Sequence, residues 1–558
     1  MASAAAQEKR EAPPDAEAPF EIPRGDVAPA STLRGDVMRN EADKELEAMG
    51  YTPVFRREFS AWSSFSFAMS ICGIYGSLMS TWVYGLQAGG AAAIMWSWII
   101  GGAGSLLLAL SLAELSSAYP SAGAMYSVLK YVAPESQVPL LCWMSGYITL
   151  VGLIAGTAST EYATSQMLLA AVSIASGFSY VPTALHVFAV MALLTIIHAA
   201  INSLPTRWLT RLANGYVVFH MSVLISASIY LLVQTKNKHS IAYAFTNFQP
   251  MSGWSPPGFA FLFGCLTPAW TLTNADSTTR MAEEAKDPAR VVPRAIAAAT
   301  SFSYLIGLLF NLVLVACMGD DPAALLRFPS LLSSSSPLSS PPPVRDSNAQ
   351  QQPVALLFLR ALGPAPAVFF TLAGFAVMNL VAVPGLQAGS RTVFALARDD
   401  LVPLSRVLRR VSARARAPLA AVWAYAAAVV VVNLLGLASR AAVAAVFAVC
   451  AAAFNATYVL AIVCKMAYGR FERGPWHLGR WSVPVNLVAV AWNAFVSVIF
   501  FLPTELPVTR ENMNYAAVVF TFVLLFSIGF WYTHGRHYYT GPGARPKNNS
   551  PAAEPPIC

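Results

Sequence analysis

The sequence predicts an all-α polytopic membrane protein with twelve transmembrane helices, and two observations lead to this fold class. Hydrophobic residues make up 56% of the 558 residues and charged residues only 11%, whereas about a quarter of a soluble chain is charged. The chain also contains recurrent uncharged or nearly uncharged blocks, each long enough to cross a hydrocarbon core of about 30 Å as a helix. The predicted spans are 62–88, 91–113, 138–172, 183–203, 212–234, 257–279, 295–318, 365–390, 419–438, 441–463, 483–503 and 513–533.

The positions of Lys and Arg predict which side of the membrane each loop faces. An even number of spans puts both termini on one side, and basic residues favour cytoplasmic loops. With cytosolic termini, the inner loops hold 23 Lys and Arg residues and the outer loops hold 7, leaving out the N-terminal tail. We therefore predict that both termini are cytosolic, and the size of the bias supports the span count.

Polar segments flank and interrupt the predicted membrane domain, residues 56–534. Residues 1–55 are rich in Ala, Pro, Glu and Arg and have no apolar core, which predicts a disordered cytosolic tail rather than a signal peptide. Residues 535–558 are predicted to form a second cytosolic tail. Between the seventh and eighth spans, the Ser/Pro-rich segment 328–353 predicts a flexible outer loop.

Composition and motifs exclude several classes of function. The net charge of +8 is explained by basic loops between spans rather than by a nucleic-acid surface. The cysteines fall mostly inside predicted spans, without CxxC or His-rich spacing, so neither a disulfide framework nor a metal site is predicted. No nucleophile–base pair, phosphate-binding loop or selectivity-filter sequence occurs, which argues against an enzyme and against a channel. We predict no organic cofactor.

The first predicted span is interrupted at mid-depth, in the stretch SFAMSICGIYGSLM (66–79). Irregular backbone persists in a bilayer only where it lines a cavity, and two glycines three apart allow a ligand to approach the backbone. Small residues also pack helices together, so the segment predicts either a binding site or a helix contact. The stretch places Ser70, Cys72, Gly73, Tyr75, Gly76 and Ser77 at mid-depth, and the first five are the candidate binding residues.

The sixth predicted span is interrupted in AWTLTNADS (269–277), where hydroxyl and amide side chains compete with helical hydrogen bonds. The first and sixth of twelve spans would be the first members of two five-helix halves. Discontinuous helices at corresponding positions of two halves are the best sequence indication of a transporter site.

The segment that follows this interruption, AEEAKDPARVVPRAI (282–296), resembles a motif of the amino acid–polyamine–organocation transporters. LAELSSAYPSAGAMY (112–126) and SRTVFALARDDLVPLSRV (390–407) support the resemblance. The segments STEYATSQMLLAAVS, NKHSIAYAFTNFQPMSGWSPPGFAFLFG and GRFERGPWHLGRWSVPVN are similar to the fungal branch of GABA, amino-acid and choline permeases, with GABA permeases most similar. Over residues 55–541, the resemblance implies a LeuT-like inverted repeat of five plus five helices, two added C-terminal helices, and proton-coupled uptake by alternating access.

The resemblance also implies roles for residues at the two interruptions. The backbone from Cys72 to Gly76 would hold a substrate carboxylate, because the N-termini of half-helices favour anions. Trp270 falls where related antiporters carry an aromatic gate over the substrate, with a packing or interface residue as the alternative. Thr273 and Asn274 would contact the substrate beside it. Asn274 and the following Ala depart from the Gly and aromatic residues common in the family, which alters the expected local geometry.

Buried titratable residues are candidates for coupling to a proton, the expected coupling ion. Glu161 is the only acid in the third span, and it would take up a proton, face a substrate amine, bond to neighbouring hydroxyls or be hydrated near the outer surface. Asp276 either carries the proton, caps the helix interruption or holds a cytoplasmic gate. His220 is either a proton relay or a satisfied core residue. His198 is expected to matter less than His220, and Asn379 is expected to bond one helix to another.

Five charged residues near the predicted inner surface are candidates for a cytoplasmic gate. Salt bridges among Glu283, Glu284, Arg391 and Arg398 would close the gate in one state and break in the other. Glu114, at the inner end of the second span, would be structural or part of the same gate. Solvated loop charges are the alternative for all of them.

We therefore expect a proton-coupled permease that imports GABA or a related amino acid across the plasma membrane, with an internal membrane as the alternative location. A choline or polyamine permease of the same fold is the alternative substrate class, and a non-transporting nutrient sensor is the alternative of another kind. The expected partners are a small amine-bearing solute and the lipid bilayer.

Overall fold

The protein is helical throughout the residues that its computed structural model describes. Within them, the only β-type pairing is one isolated bridge between Phe59 and Ala285. The predicted flexible loop 328–353 lies almost wholly outside the described part of the chain. The described residues are 41–326, 352–413, 415–510 and 512–543.

Membrane spans occur where the sequence predicts them. Ten described helices are long and apolar enough to cross a membrane. The first of the ten, Ala61–Ala118, contains spans 1 and 2, and the interrupted span 6 is made of pieces too short to be counted. The helices of spans 1 to 6 are Ala61–Cys72 and Ile74–Ala118 (spans 1 and 2), Val138–Ala175, Ala184–Asn202, Thr206–Gln234, and Pro257–Gly264 with Leu266–Thr271 and the 3₁₀ helix Ala275–Glu284. Those of spans 7 to 12 are Pro288–Ala316, Pro364–Arg398, Leu419–Asn433 with Leu435–Ala438, Arg440–Tyr468, Ser482–Phe501, and Ala516–Phe530 continued to Tyr538.

Short helices fill several of the connections between spans. They are Met125–Val132 between spans 2 and 3, Ile241–Thr246 between spans 5 and 6, Pro322–Leu326 (3₁₀) and Pro353–Leu362 between spans 7 and 8, Ser405–Leu408 between spans 8 and 9, and Gly479–Trp481 (3₁₀) before span 11.

Spans 1 and 2 turn into each other at Gly89 and Gly90, whose backbone leaves the helical conformation. Gly90 has a φ of 66°, which a residue without a side chain adopts easily. The carbonyl oxygens freed at this turn are taken up by the chain before span 6. The amide of Gln249 donates to the oxygen of Gly89 (2.9 Å), and that of Met251 donates to the oxygen of Gln87 (2.8 Å).

The arrangement of the spans fits the predicted inverted repeat. Spans 1 and 6, the first members of the two halves, are both interrupted, at Gly73 and at Asn274. Spans 3 and 8, the third members, pack along each other at the centre, and span 10 packs on span 3. Spans 1 and 6, and spans 3 and 8, are thus equivalent members of the two halves and lie around one central space.

Chain on both sides of the predicted membrane domain, residues 56–534, is packed against the bundle. Residues 41–48 form a helix, and Leu46, Tyr51 and Phe55 are buried. Tyr539 is also buried. Their apolar and aromatic side chains gain more from burial than the ordering of a short segment costs. Residues 1–40 and 544–558 lie outside the described residues.

Both ends of the described chain meet on one face of the bundle, called here the termini face, in a hydrogen-bonded group called here the tail cluster. Asp399, which follows span 8, accepts from Tyr51 (3.1 Å), from Tyr126 (3.0 Å) and from the amide of Gly543 (3.1 Å). Tyr126 also bonds to Tyr539 (2.7 Å). The described chain thus begins and ends on the same face, as an even number of spans requires.

Replacing Asp399 by alanine is expected to lower the thermal stability of the purified protein by about 2–3 kcal/mol, because several buried donors would lose their acceptor. Burial raises the pKa of Asp399 above its usual range, and an asparagine at this position would keep one acceptor oxygen without a buried charge. Asp399→Asn is therefore expected to cost less than Asp399→Ala. Thermal unfolding in detergent measures both variants, with Asp400→Asn at the half-exposed neighbouring position as the control. Equal unfolding temperatures for wild type and Asp399→Ala would contradict the role of the cluster.

Candidate functional site

The interruption of span 1 is a single residue in the left-handed conformation. Gly73 has φ 49° and ψ 43° and separates the two helices, as a glycine does readily because it has no Cβ. A Cβ at this position would overlap a methyl group of Val381 in span 8, so the backbone of span 1 approaches span 8 closely. The interruption is bonded on both sides: Ser77 Oγ donates to the oxygen of Cys72 (2.7 Å), and the amide of Tyr75 donates to His220 Nε2 (3.0 Å).

The interruption of span 6 follows the helix Leu266–Thr271. The chain leaves the helix at Leu272, and Asn274 takes the left-handed conformation (φ 59°, ψ 32°) before the 3₁₀ helix Ala275–Glu284 begins. Asn is among the residues that tolerate this conformation best. Spans 6 and 1 bond to each other just above the interruption, where Thr267 Oγ1 donates to the oxygen of Thr81 (2.9 Å).

A cavity of about 50 Å³ lies between the two interruptions, large enough for a few water molecules. Its walls come from spans 1, 3, 6, 8 and 10, and none of the described residues that line it carries a charge. The lining residues are Ile71, Ser77, Leu153, Gly156, Thr157, Ser159, Thr160, Trp270, Thr271, Thr273, Asn274, Val381, Ala382, Gly385, Cys450 and Phe454.

The helix ends around the cavity provide electrostatic potential of both signs. Helices end at Cys72 and Thr271 and begin at Ile74 and Ala275, so helix ends of both kinds lie beside the cavity, next to its lining residues Ile71, Ser77, Thr271 and Asn274. Each helix end carries a partial charge of roughly half an electron, positive at an N-terminus and negative at a C-terminus. The site is thus suited to a solute that carries a positive and a negative group.

The structure brings three predicted substrate-binding residues to the cavity: Trp270, Thr273 and Asn274. Buried polar atoms of two of them, Trp270 Nε1 and Asn274 Oδ1, have no hydrogen-bond partner within the protein. An unpaired buried donor and acceptor are costly, and a solute in the cavity could pair with them. Trp270 also stacks on Phe447 of span 10, with ring centres 5.5 Å apart.

The other predicted substrate-binding residues, those of span 1, do not line the cavity. Ser70 donates to the oxygen of Phe67, and Gly76 packs against Met378 of span 8. Tyr75 points away, donates to the oxygen of Phe370 (3.0 Å) and packs on Phe310. Cys72 and Gly73 are absent from the lining as well, and their neighbours Ile71 and Ser77 take their place. The left-handed residue Gly73 changes the direction of the helix turn that follows it. A helical projection of the sequence, which assumes a continuous helix, therefore places these side chains on the wrong side.

Below the cavity, Asp276 is fully buried in an ion pair. Arg280 Nη2 donates to its Oδ2 (2.7 Å) and Tyr458 of span 10 donates to its Oδ1 (2.5 Å). Arg280 also donates to Thr392 of span 8 (3.1 Å). Asp276 lies in the first turn of the 3₁₀ helix, where the helix dipole favours a negative charge. This geometry favours the cap and gate interpretation of Asp276 over that of a proton carrier.

Two further ion pairs lie between this layer and the termini face. Arg391 Nε donates to Glu284 (2.6 Å), and both side chains are 1% exposed. Arg398 makes two hydrogen bonds to Glu283 (3.0 and 2.9 Å) and stacks on the ring of Tyr51. The four residues predicted to form the gate are therefore paired as expected, and burial excludes the solvated-loop alternative for them. Their role in gating stays a prediction.

The start of span 1 is fastened to the end of span 6 on the same face. The amide of Phe59 donates to the oxygen of Glu284 and that of Lys286 donates to the oxygen of Phe59, both at 2.9 Å. Arg57 donates to the oxygens of Ala282 and Ala285 (3.2 and 3.0 Å), where a cation is favourable at a helix C-terminus. The route from the cavity to the termini face is closed by these layers.

Glu114 has partners other than these four residues. It pairs with Lys465 of span 10 and accepts from Ser482 (2.7 Å) and from the amide of Leu478 (3.1 Å). These contacts fasten the end of span 2 to spans 10 and 11. The structural alternative for Glu114 therefore fits the geometry, and Lys465 is a partner that the sequence did not indicate.

The other two coupling candidates also have specific partners. His220 Nε2 accepts the amide of Tyr75 at the interruption of span 1, and its Nδ1 is unpaired. Glu161 bonds to His198 of span 4 at 2.7 Å, and His198 bonds to Asn379 of span 8 at 3.0 Å. Neighbouring hydroxyl groups, expected as partners of Glu161, do not bond to it in the described structure. His198 is thus a member of the site that sequence reasoning undervalued, because its partners are remote in sequence.

A bundle of twelve spans with two interrupted helices around an uncharged cavity, closed on one face by buried ion pairs, defines a secondary transporter. A family model described as amino acid permease matches residues 59–524. The chain is 66% identical to amino-acid permease 2 of Neurospora crassa over 501 residues, which covers 90% of this chain and 89% of that protein.

Two more relatives indicate how widely the similarity extends. The chain is 42% identical to an uncharacterized amino-acid permease of Schizosaccharomyces pombe, with 90% of each chain covered. It is 26% identical to a GABA-specific permease of Saccharomyces cerevisiae, over 91% of this chain and 87% of that protein. The chain belongs to the amino acid permease family, and it is therefore a multi-pass membrane permease rather than an enzyme.

Proposed function

We propose that the protein is a proton-coupled permease that imports GABA or a related amino acid through the cavity between spans 1 and 6. The observation that carries the proposal is the pairing of an uncharged lining with helix ends of both signs. An amino acid is a zwitterion, so its carboxylate is favoured near the helix starts and its ammonium group near the helix ends. The relative named as GABA-specific supports the substrate class.

A cation without a carboxylate, such as choline or a polyamine, fits this cavity less well. No acidic side chain is found among the described lining residues, and the faces of Trp270 and Phe454 would be the main attraction for such a cation. We further propose that the protein acts in the plasma membrane with the termini face toward the cytosol. The Lys and Arg distribution supports this orientation.

The proposal is tested by the uptake of labelled GABA into permease-deficient yeast that expresses this chain, with and without a protonophore. We expect saturable uptake that the protonophore abolishes, because a proton gradient would drive accumulation. An excess of unlabelled alanine is expected to compete, whereas choline and putrescine are expected to compete poorly. Surface delivery is checked by labelling intact cells. Uptake that the protonophore leaves unchanged would contradict proton coupling, and competition by choline alone would contradict the substrate class.

A further inference from the structure

Three polar side chains, two of them buried and one partly buried, form a continuous hydrogen-bonded group behind the cavity, called here the span 3–4–8 cluster. Glu161 Oε1 lies 2.7 Å from His198 Nδ1, and His198 Nε2 lies 3.0 Å from Asn379 Oδ1. Glu161 and His198 are 0% and 1% exposed. The second carboxylate oxygen, Glu161 Oε2, is buried and has no partner. Such a group is expensive in a membrane interior and is a functional candidate by default.

The geometry of the cluster fixes how many protons it holds. Asn379 Nδ2 donates to the oxygen of Phe375 (2.7 Å), so the amide orientation is set and its oxygen faces His198. His198 Nε2 must therefore carry a hydrogen. A second hydrogen must lie between His198 Nδ1 and Glu161 Oε1. Without it, the lone pair on Nδ1 would face the negative carboxylate at 2.7 Å, and the two would repel each other. The pair is then neutral overall, whichever atom holds that proton.

The other two candidates are less able to exchange a proton. Asp276 is compensated by Arg280 and by Tyr458, so its charged form is satisfied. His220 Nε2 accepts an amide hydrogen, and protonation there would break the bond that caps span 1. The Glu161–His198 pair instead has a proton between two titratable groups, and one unpaired oxygen beside it.

The cluster is attached to two walls of the cavity. Thr160 and Thr157 in span 3, one and four residues before Glu161, line the cavity, and so does Ala382, three residues after Asn379. Asn202, one turn after His198, donates to the oxygen of Val383 (3.0 Å) in span 8. A change in the Glu161–His198 contact would therefore alter how span 4 holds spans 3 and 8.

Other titratable groups near the cluster are few within the described residues. Span 9 contributes Tyr425, which bonds to Thr157 (2.7 Å) and interacts electrostatically with Glu161. Beyond Tyr425 lie Cys450 of span 10 and the Asp276–Arg280 pair. None of these groups bonds to Glu161 or His198 in the described structure.

We propose that Glu161 and His198 share the proton that drives transport, and that Asn379 is a positioning residue that holds His198 in the orientation required. This inference rests on the proposed proton coupling. When the proton leaves for water, Glu161 remains negative and His198 neutral, so the pair changes from neutral to a charge of −1. The lone pairs of His198 Nδ1 and Glu161 Oε1 then face and repel each other, and His198 separates from Glu161. Uptake of a proton restores the neutral pair and its hydrogen bond.

The test compares exchange with proton-driven accumulation in proteoliposomes that contain the full-length protein, with labelled GABA and labelled alanine assayed in parallel. Glu161→Gln keeps the size of the side chain and can donate to His198, but it cannot release a proton. We expect it to exchange internal for external solute within about twofold of wild type, while pH-driven accumulation falls at least about tenfold. Thr195→Val is the matched control, because Thr195 is buried on the same helix and bonds only to the oxygen of Met191.

The outcomes separate this inference from the proposed function. A wild-type protein that exchanges solute without accumulating it under a pH gradient would overturn proton coupling itself, and this inference with it. Accumulation by Glu161→Gln at the wild-type level would overturn only the assignment of the site, as would equal loss of exchange and accumulation. If Glu161→Gln does not yield folded protein, Glu161→Asp decides. Its shorter carboxyl does not reach His198, so the pH profile of accumulation is expected to move by about one unit, and an unchanged profile would overturn the assignment.

Discussion

Replacing Glu284 by glutamine is expected to lower solute uptake at least about tenfold, because the substitution leaves Arg391 charged and uncompensated in the interior. Both side chains are 1% exposed, and their bond is 2.6 Å long. Removing one partner of a buried ion pair costs about 3–5 kcal/mol, and about 1.4 kcal/mol changes an equilibrium tenfold. The closed arrangement of the termini face would therefore no longer be lower in free energy than an arrangement in which Arg391 is hydrated.

A gating role predicts a change in accessibility as well as in activity. Ala388, 0% exposed, lies on span 8 between the cavity and Arg391, so the thiol of an Ala388→Cys variant should react slowly with a polar reagent. Adding Glu284→Gln is expected to accelerate this reaction from the termini face. Glu135→Gln is the control, because Glu135 is 86% exposed beside Arg470 and exposed ion pairs contribute little. Unchanged uptake and unchanged labelling in Glu284→Gln would contradict the gate.

The double variant Glu284→Gln, Arg391→Gln separates the charge from the packing. It removes both members of the pair, so no uncompensated charge remains in the interior. We expect uptake to recover part of what Glu284→Gln loses. A double variant that is as impaired as the sum of the two single variants would show that the two side chains act independently.

The membrane spans were predictable because their sequences must satisfy one physical requirement, that of crossing the hydrocarbon core without charged side chains. A helix that crosses a hydrocarbon core needs an uncharged block of known length, and the blocks in this chain are separated by charged loops. The interruptions at Gly73 and Asn274 were also predictable, since Gly and hydrogen-bonding side chains weaken helices at mid-depth. Span 8 is longer than predicted and ends at Arg398, so the residues assigned to a loop after it are helical.

The orientation of individual side chains was not predictable to the same degree. Tyr75 and Ser70 flank a left-handed residue, and a single such residue changes the direction in which the following turn points. Arg280 is one of the Lys and Arg residues counted in the inner loops, but it is fully buried, because the 3₁₀ helix carries it inward to Asp276. Its spacing of four residues from Asp276 was the one available signal.

Pairings between distant residues were beyond the reach of a single sequence. Glu161 and His198 are 37 residues apart, and His198 and Asn379 are 181 apart. Each was visible as a polar residue inside a span, but nothing in the sequence connects them. The packed segment around Leu46 and Tyr51 was missed for another reason, since its few apolar residues lie among many charged ones.

We propose that the transported solute occupies the cavity between the interruptions of spans 1 and 6. Gly385 lines that cavity, and an added Cβ there would meet only Thr157 Oγ1, at 3.9 Å. A valine at this position therefore fills the cavity without displacing the backbone. Gly215, in span 5, has nothing within 4 Å of an added Cβ, so Gly215→Val has the same effect on helix propensity away from the cavity.

The measurement is the uptake of labelled amino acid by cells that express equal surface amounts of wild type, Gly385→Val and Gly215→Val. We predict that Gly385→Val lowers uptake at least about tenfold, which corresponds to about 1.4 kcal/mol of lost binding, and that Gly215→Val transports at the wild-type rate. Wild-type uptake by folded Gly385→Val would contradict the claim that the solute passes through this cavity.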